Sequence, residues 1–280
     1  MKAGMIGLGA MGLGMARNLE KTGYLTAVYN RTAAKTTEFK MAAYPSPEAL
    51  AAEVDIVLIC VSADQDVLDI VDAIAKTIKP GAIVVDMSTV SSETAKKAAT
   101  ILSEKQVAFL DAPVSGGVEG AKNGTLAMMV GGDSEALEKA RPVLAAISTR
   151  IMHMGATGSG QATKAVNQIM CAGINQAVTE ALAFAQAQGL AMENVINVIS
   201  GGASGNWFLQ HRGSTMTHGT FTPGFKLALH HKDLKICQKM ASQSGFSIPL
   251  ADMTVSDYEQ LMTKGYSNED ISALYRLKKR

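Results

Sequence analysis

Charge is scarce in this chain. Charged residues make up 18% of its 280 residues and the formal net charge is +1, against ~25% charged residues in typical soluble domains. So small a balance argues against an electrostatic role on nucleic acid or on an anionic membrane, either of which calls for a basic surface. Cysteine is nearly missing. Cys60, Cys171 and Cys237 are isolated and odd in number, which excludes a disulfide framework and a cysteine metal knuckle. They read as packing residues in a reducing, cytoplasmic compartment. Histidine offers no metal site: His153, His211 and His218 are scattered, and the adjacent His230-His231 pair lacks ligand spacing with acidic neighbours. That pair is expected to pack near a lysine or to cap a helix. No apolar run approaches the ~18 residues that a membrane helix needs, and the first residues lead straight into a strand, so neither a span nor a signal peptide is expected. What is present is 47% hydrophobic residues, enough for two domains and a large core. The shortage of charge fits a surface partly covered by another subunit.

The most informative segment is the first thirty-two residues. Met5-Ile6 leads into Gly7-Leu8-Gly9-Ala10-Met11-Gly12, then Met15–Leu19, and the segment closes on Val28-Tyr29-Asn30-Arg31-Thr32. This is the pattern of a strand, a glycine turn, a helix and a second strand, the first unit of a dinucleotide-binding fold. Gly7 permits the tight turn, Gly9 lets backbone approach a pyrophosphate, and Gly12 allows close helix–strand contact. The helix opening near Ala10 aims free N–H groups at the phosphates. The strand tip bears on which dinucleotide binds. A carboxylate there would accept from a ribose 2′-hydroxyl and repel a 2′-phosphate. Asn30 is neutral and Arg31 offers a guanidinium fork, so NADP is expected, with NAD possible.

Up to about residue 157 short apolar strands alternate with helical stretches, the pattern of a doubly wound α/β domain. Ile56–Val61 and Ile83–Asp86 are continuous runs, as parallel strands buried on both faces require. Val61, at the end of the first run, is counted among the cofactor contacts. Between the runs Val67, Leu68, Val71, Ile74, Ala75 and Ile78 recur at helical spacing, and Pro80-Gly81 is expected to end that helix. Thr89 follows a strand's carboxyl end, where ligands sit in such sheets, and could also cap the next helix. Further strands are expected at Val107–Leu110, Leu126–Val130 and Arg150–Met154. Beyond Gly155 the character changes: Gln161–Gln188 has no proline and one interior glycine, one helix of about 40 Å at 1.5 Å per residue. Shorter helices follow. The expected division is a Rossmann-type domain over residues 1–157 and an all-helical domain over residues 158–280, joined by the long helix.

Two constellations carry the chemistry. Asp111-Ala112-Pro113-Val114-Ser115-Gly116-Gly117 follows a strand, and Ser115, Gly116 and Gly117 offer a hydroxyl and unshielded N–H groups to a carboxylate; a plain turn is the alternative. Gly158–Gln168 sets Lys164 in the first turns of the long helix, with Asn167 and Gln168 three and four residues on, on one face. Trp207, the only tryptophan, could wall a pocket or anchor a core.

At these residues the chain resembles the β-hydroxyacid dehydrogenase family, which includes 3-hydroxyisobutyrate dehydrogenases, tartronate semialdehyde reductases and glyoxylate/succinic semialdehyde reductases. The resemblance spans the whole chain through the glycine turn with Met15–Leu19, Asp111–Gly117, Gly158–Asn167 and Lys232-Asp233-Leu234. It implies a Rossmann-type domain followed by a helical domain and assembly as a homodimer or homotetramer. It implies Lys164 as the catalytic lysine, Ser115–Gly117 as the substrate-carboxylate loop, Thr89 on the nicotinamide side and Lys232 near the cofactor. The partner is then a small carboxylate-bearing aldehyde or hydroxy acid, reduced or oxidised by hydride transfer with Lys164 as general acid or base. Motifs point to different subfamilies: Asn167-Gln168 and Ser272-Ala273-Leu274 are similar to the tartronate semialdehyde reductases, Gly205-Asn206-Trp207 to some 3-hydroxyisobutyrate dehydrogenases. A non-catalytic dinucleotide-sensing scaffold is the alternative from another class.

Overall fold

A computed structural model describes residues 1–279. The chain forms two compact units, Met1–Lys164 and Ala165–Arg280. In the first, strands β1 (Ala3–Ile6), β2 (Leu25–Tyr29), β3 (Ala42–Ala43), β4 (Ile56–Ile59), β5 (Ile83–Asp86), β6 (Ala108–Asp111), β7 (Val114–Ser115), β8 (Leu126–Gly131) and β9 (Ser148–Gly155) make one sheet. Helices α1 (Ala10–Lys21), α2 (Pro47–Ala51), α3 (Asp64–Ile74), α4 (Ser92–Ser103), α5 (Gly117–Asn123) and α6 (Ser134–Leu144) connect them. The order is β3-β2-β1-β4-β5-β6-β8-β7, with β9 on the other side of β8. The strands from β3 to β6 are all parallel. The order reverses between β1 and β4, the crevice where such sheets bind ligands.

Both faces of the sheet are covered at β1, β4 and β5, which is why those strands are almost wholly apolar. Met5, Leu58, Val85 and Leu110 pack on one face with Met15 and Leu19 of α1 and Leu144 of α6. Their neighbours Ile6, Val57, Ile59 and Val84 pack on the other with Val67, Val71 and Ile74 of α3 and Leu102 of α4. Helix α3 stops at Ile74, short of Pro80. Ile78 still reaches the core through a closing turn in which its N–H donates to the Ile74 carbonyl at 2.9 Å. The parallel run ends at β8, which is antiparallel to β6 and β7 and parallel to β9.

In the second unit, the 29-residue α7 (Ser159–Ala187), which begins in the first, is followed by α8 (Met192–Ser200), α9 (Trp207–Thr217), α10 (Leu227–Gln243), α11 (Pro249–Thr263) and α12 (Tyr275–Lys278). Ala172, Val178 and Leu182 of α7 join Phe208, Leu234, Val255 and Tyr258 in one core. His230 neither caps a helix nor faces solvent. It lies buried inside α10, with Nδ1 3.0 Å from the Tyr258 hydroxyl and Nε2 3.3 Å from the Gln168 carbonyl. None of the described helices is long and apolar enough to cross a membrane.

Candidate active site

The glycine turn joins β1 to α1 through two close approaches. Gly7 has φ +97°, and a Cβ there would overlap the Cys60 carbonyl; a Cβ on Gly12 would overlap the carbonyl of Gly7. A Cβ on Gly9 would meet nothing within 4 Å. The first and third glycines therefore close the fold, while the second faces open space. Leu8 is buried and its N–H donates to Asn30 Oδ1 at 2.8 Å; Asn30 Nδ2 donates to the Thr32 carbonyl at 2.9 Å. Asn30 thus spans from the strand tip to the turn. Ala10, Met11 and Gly12 form the first residues of α1.

Beside this turn lies a cavity of about 370 Å³ lined by Gly7, Gly9, Asn30, Arg31, Thr32, Lys35, Val61 and Asp66, among others. Arg31 has an 87% exposed side chain and reaches Asp66 with Nη1 3.2 Å from Oδ1. Lys35, within one turn of Arg31 in sequence, adds a second cation that the reading of the sequence missed. A turn opened at Gly9 and a cavity rimmed by two cations fit an extended dinucleotide.

Next along the sheet, Val61 N–H donates to Ser88 Oγ at 2.9 Å. Thr89 is not the cap of α4. That role belongs to Ser91, whose Oγ accepts from Thr94 N–H at 3.1 Å, and Asp64 holds Ser91 and Thr94 from α3. Thr89 instead lies between Ser88 and Val90, both held by Gln161. Gln161 Nε2 donates to the Ser88 carbonyl at 2.8 Å, and Val90 N–H donates to Gln161 Oε1 at 3.2 Å.

Asp111, at the end of β6, serves the first turn of α7. Its Oδ1 accepts from Gly158 N–H at 2.7 Å and its Oδ2 from Gln161 N–H at 2.9 Å. Burial pushes its carboxyl up, and these backbone N–H groups hold it down. The approach is so close that a Cβ on Gly160 would overlap the carbonyls of Asp111 and Met129, while one on Gly131 would stand 2.5 Å from Asp111 Oδ1. One turn on, Lys164 is only 7% exposed. Its Nζ donates to the Val114 carbonyl at 2.8 Å. Val114 directly precedes Ser115, Gly116 and Gly117, so the ammonium stands against the loop that the sequence marks for a carboxylate. Gly116 and Gly117 have φ +129° and +62° as the chain turns into α5.

Within the helical unit Asn167, Gln168, Asp233 and Lys232 form one chain of polar contacts. Asn167 Nδ2 donates to Gln168 Oε1 at 2.8 Å, Gln168 Nε2 donates to Asp233 Oδ2 at 2.6 Å, and Lys232 Nζ lies 2.8 Å from Asp233 Oδ1. Trp207 is not a core anchor. It is 59% exposed at the start of α9, stacks on His211 at 4.2 Å and takes the Arg212 guanidinium at 5.4 Å. Gln161 is a second residue that the reading of the sequence missed. Its spacing of three from Lys164 was there to be seen, but a glutamine in a helix's first turn reads as solvated.

Comparison with known proteins agrees with this layout. Residues 2–155 match the NAD binding domain of 6-phosphogluconate dehydrogenase, and residues 158–278 match the NAD-binding region of NADP-dependent 3-hydroxyisobutyrate dehydrogenase. The chain is 34% identical to 2-hydroxy-3-oxopropionate reductase of Escherichia coli over 98% of its own length and 96% of that protein. It is also 34% identical to the NAD-dependent L-serine dehydrogenase of Pseudomonas aeruginosa, over 97% and 96%. The structure of Mycobacterium tuberculosis 3-hydroxyisobutyrate dehydrogenase with L-serine superposes with a TM-score of 0.89 at 31% identity, covering 99% of this chain and 98% of that one. The chain belongs to the β-hydroxyacid dehydrogenase family of NAD(P)-dependent oxidoreductases.

Proposed function

We propose that this enzyme interconverts a short 3-hydroxy carboxylate and the corresponding semialdehyde, with Lys164 as general acid and base and NADP as the preferred cofactor. One observation carries the reading: the buried Lys164 ammonium sits 2.8 Å from the carbonyl of Val114, next to Ser115-Gly116-Gly117. The names of the relatives support the substrate class, because 2-hydroxy-3-oxopropionate, L-serine and 3-hydroxyisobutyrate each carry an oxygen on the carbon two removed from a carboxylate.

The bound nicotinamide supplies or accepts the hydride. The Ser115 hydroxyl and the N–H groups of Gly116 and Gly117 hold the substrate carboxylate. In reduction Lys164 donates a proton to the carbonyl oxygen as it gains charge; in oxidation the neutral amine takes the hydroxyl proton. Asn167, three residues along α7, orients the lysine and the reacting oxygen, with Gln168 bracing it through their hydrogen bond. Gly7–Gly12, Thr32, Val61 and Thr89 would line the path of a bound dinucleotide. Arg31, assisted by Lys35, takes a 2′-phosphate in exchange for Asp66. Asp66 and Asp69 line the same cavity and oppose that phosphate, so the preference rests on how readily Arg31 leaves Asp66. Val166, Met170 and Phe184, apolar yet exposed on α7, support a homo-oligomer, and the isolated thiols a cytoplasmic setting.

The test is Lys164→Met, which keeps the length of the side chain and removes its charge. The expected loss in kcat is at least about 100-fold, with NADPH affinity and melting temperature near those of the unmutated enzyme. A variant keeping more than about a third of its activity refutes the assignment.

A further inference from the structure

We propose that Gln161, braced by Asp111, is the positioning residue that sets the Lys164 ammonium against the Thr89 and Ser115 loops; this rests on the reading of Lys164 as proton donor.

The side-chain amide of Gln161 has two ends and both are used. One donates to the carbonyl of Ser88 and the other accepts from the N–H of Val90, so Thr89 is gripped from both flanks by one side chain. Its own N–H is spent on Asp111 Oδ2. Gln161 is 1% exposed, so these bonds are shielded from bulk solvent. Ser88 in turn accepts from Val61 N–H through Oγ and donates its own N–H to Asp86 Oδ1 at 3.0 Å. The ends of β4, β5 and β6 are thereby tied to a single helical turn, and Lys164 sits on the next one.

Capping alone does not account for this arrangement. Where a side chain serves a helix's first turn, it is commonly a serine, threonine, asparagine or aspartate at the helix's own N-cap, as Ser91 serves α4. Helix α7 recruits a buried carboxylate from a strand 47 residues earlier, at the desolvation cost that burying any carboxylate carries. The Gln161 amide contributes nothing to that cap, because its partners belong to the β5–α4 loop. What the pair accomplishes is a fixed distance between that loop and the lysine. Displacing the turn moves Lys164 and Thr89 relative to each other, and misplacement near 1 Å costs catalysis heavily.

The test is a double-mutant cycle read by single-turnover hydride transfer in Gln161→Met, Lys164→Met and the double variant. Methionine fills the volume of glutamine without either hydrogen bond. Gln161→Met is expected to slow the step at least about 10-fold in the presence of Lys164 and less than about 2-fold in the Lys164→Met background, because its effect passes through the lysine. The pH profile of kcat in the oxidation direction should move with it. In cofactor-free protein labelled at the lysine side chains, the NMR titration midpoint of Lys164 should shift as well. Equal slowing in both backgrounds would mean a merely structural role and overturns the proposal. So does unchanged rate in Gln161→Met. Activity retained in Lys164→Met alone overturns the proton-donor reading and the positioning role with it, and is recognised from that single variant. Should Gln161→Met not fold, Gln161→Asn, one methylene short of reaching Ser88 and Val90 together, carries the same cycle.

Discussion

Asp86→Asn should convert a pH-dependent fold into a flatter one. Asp86 closes β5 beside Asp111 of β6, wholly buried, with no hydrogen-bond partner for Oδ2 among the described residues. Burial is the main cause that pushes its carboxyl from 3.8 up to about 7; the bonds from Ser88 oppose this, and the charges of Asp111 and Asp64 add to it. The folded protein therefore holds this proton more tightly than the unfolded chain. Its stabilising effect is fully present below about pH 4 and is lost as pH rises through about 7. Three pH units at about 1.4 kcal/mol each make the loss of the order of 4 kcal/mol. Asparagine keeps the shape and the acceptor for Ser88 N–H but has nothing to ionise. Asp111 titrates in both proteins and largely cancels from the difference. Urea unfolding followed by circular dichroism should show the variant gaining on the parent steadily between about pH 4 and pH 7 and by a constant amount above. Parallel profiles across that range would refute the argument.

Cofactor choice is expected to favour NADPH over NADH by about ten-fold in kcat/KM, of the order of 1.4 kcal/mol, with Arg31→Ala removing most of the difference and sparing NADH; equal efficiencies in the parent enzyme would sink this. Gly9→Ala adds a methyl into open space, so the melting temperature should hold while the dinucleotide dissociation constant rises at least about ten-fold by fluorescence titration. Gly116→Val acts at φ +129°, with Leu126 Cδ2 3.2 Å from the new Cβ; substrate KM should rise strongly with little change in NADPH binding, and propionaldehyde should be a poor substrate for the parent enzyme.

Much of the fold is legible in the sequence because its signals are local. Ile56–Ile59 and Ile83–Asp86 are unbroken runs, and α7 begins within two residues of the expected start at Gln161. The cofactor turn was legible for the same reason: glycine spacing encodes the close approaches at Gly7 and Gly12. What escaped depends on partners far apart in the chain. The two-residue β3 and β7 exist only through their ladders, and nothing in Leu126–Gly131 says that it runs antiparallel. Thr89 looked like a cap because it precedes a helix, yet Ser91, two residues later, has the hydroxyl in reach of an N–H. Gln161 and Asp111 gain their meaning from Ser88 and Gly158, which no periodicity connects.

The crossing at Gly160 makes a stretch that reads as loop behave like a ruler. Connections between a strand and a helix ordinarily absorb an added or missing residue. Between Gly155, where β9 ends, and Gly160 there is no such slack. One inserted residue would bring Ser159 to the crossing and one deleted residue would bring Gln161 there, and either side chain would run into the Asp111 and Met129 carbonyls. Libraries randomised over this stretch should therefore return variation at Ala156 and Thr157 but a constant length, which makes residues 155–160 the wrong place to join this sheet to any other helical partner.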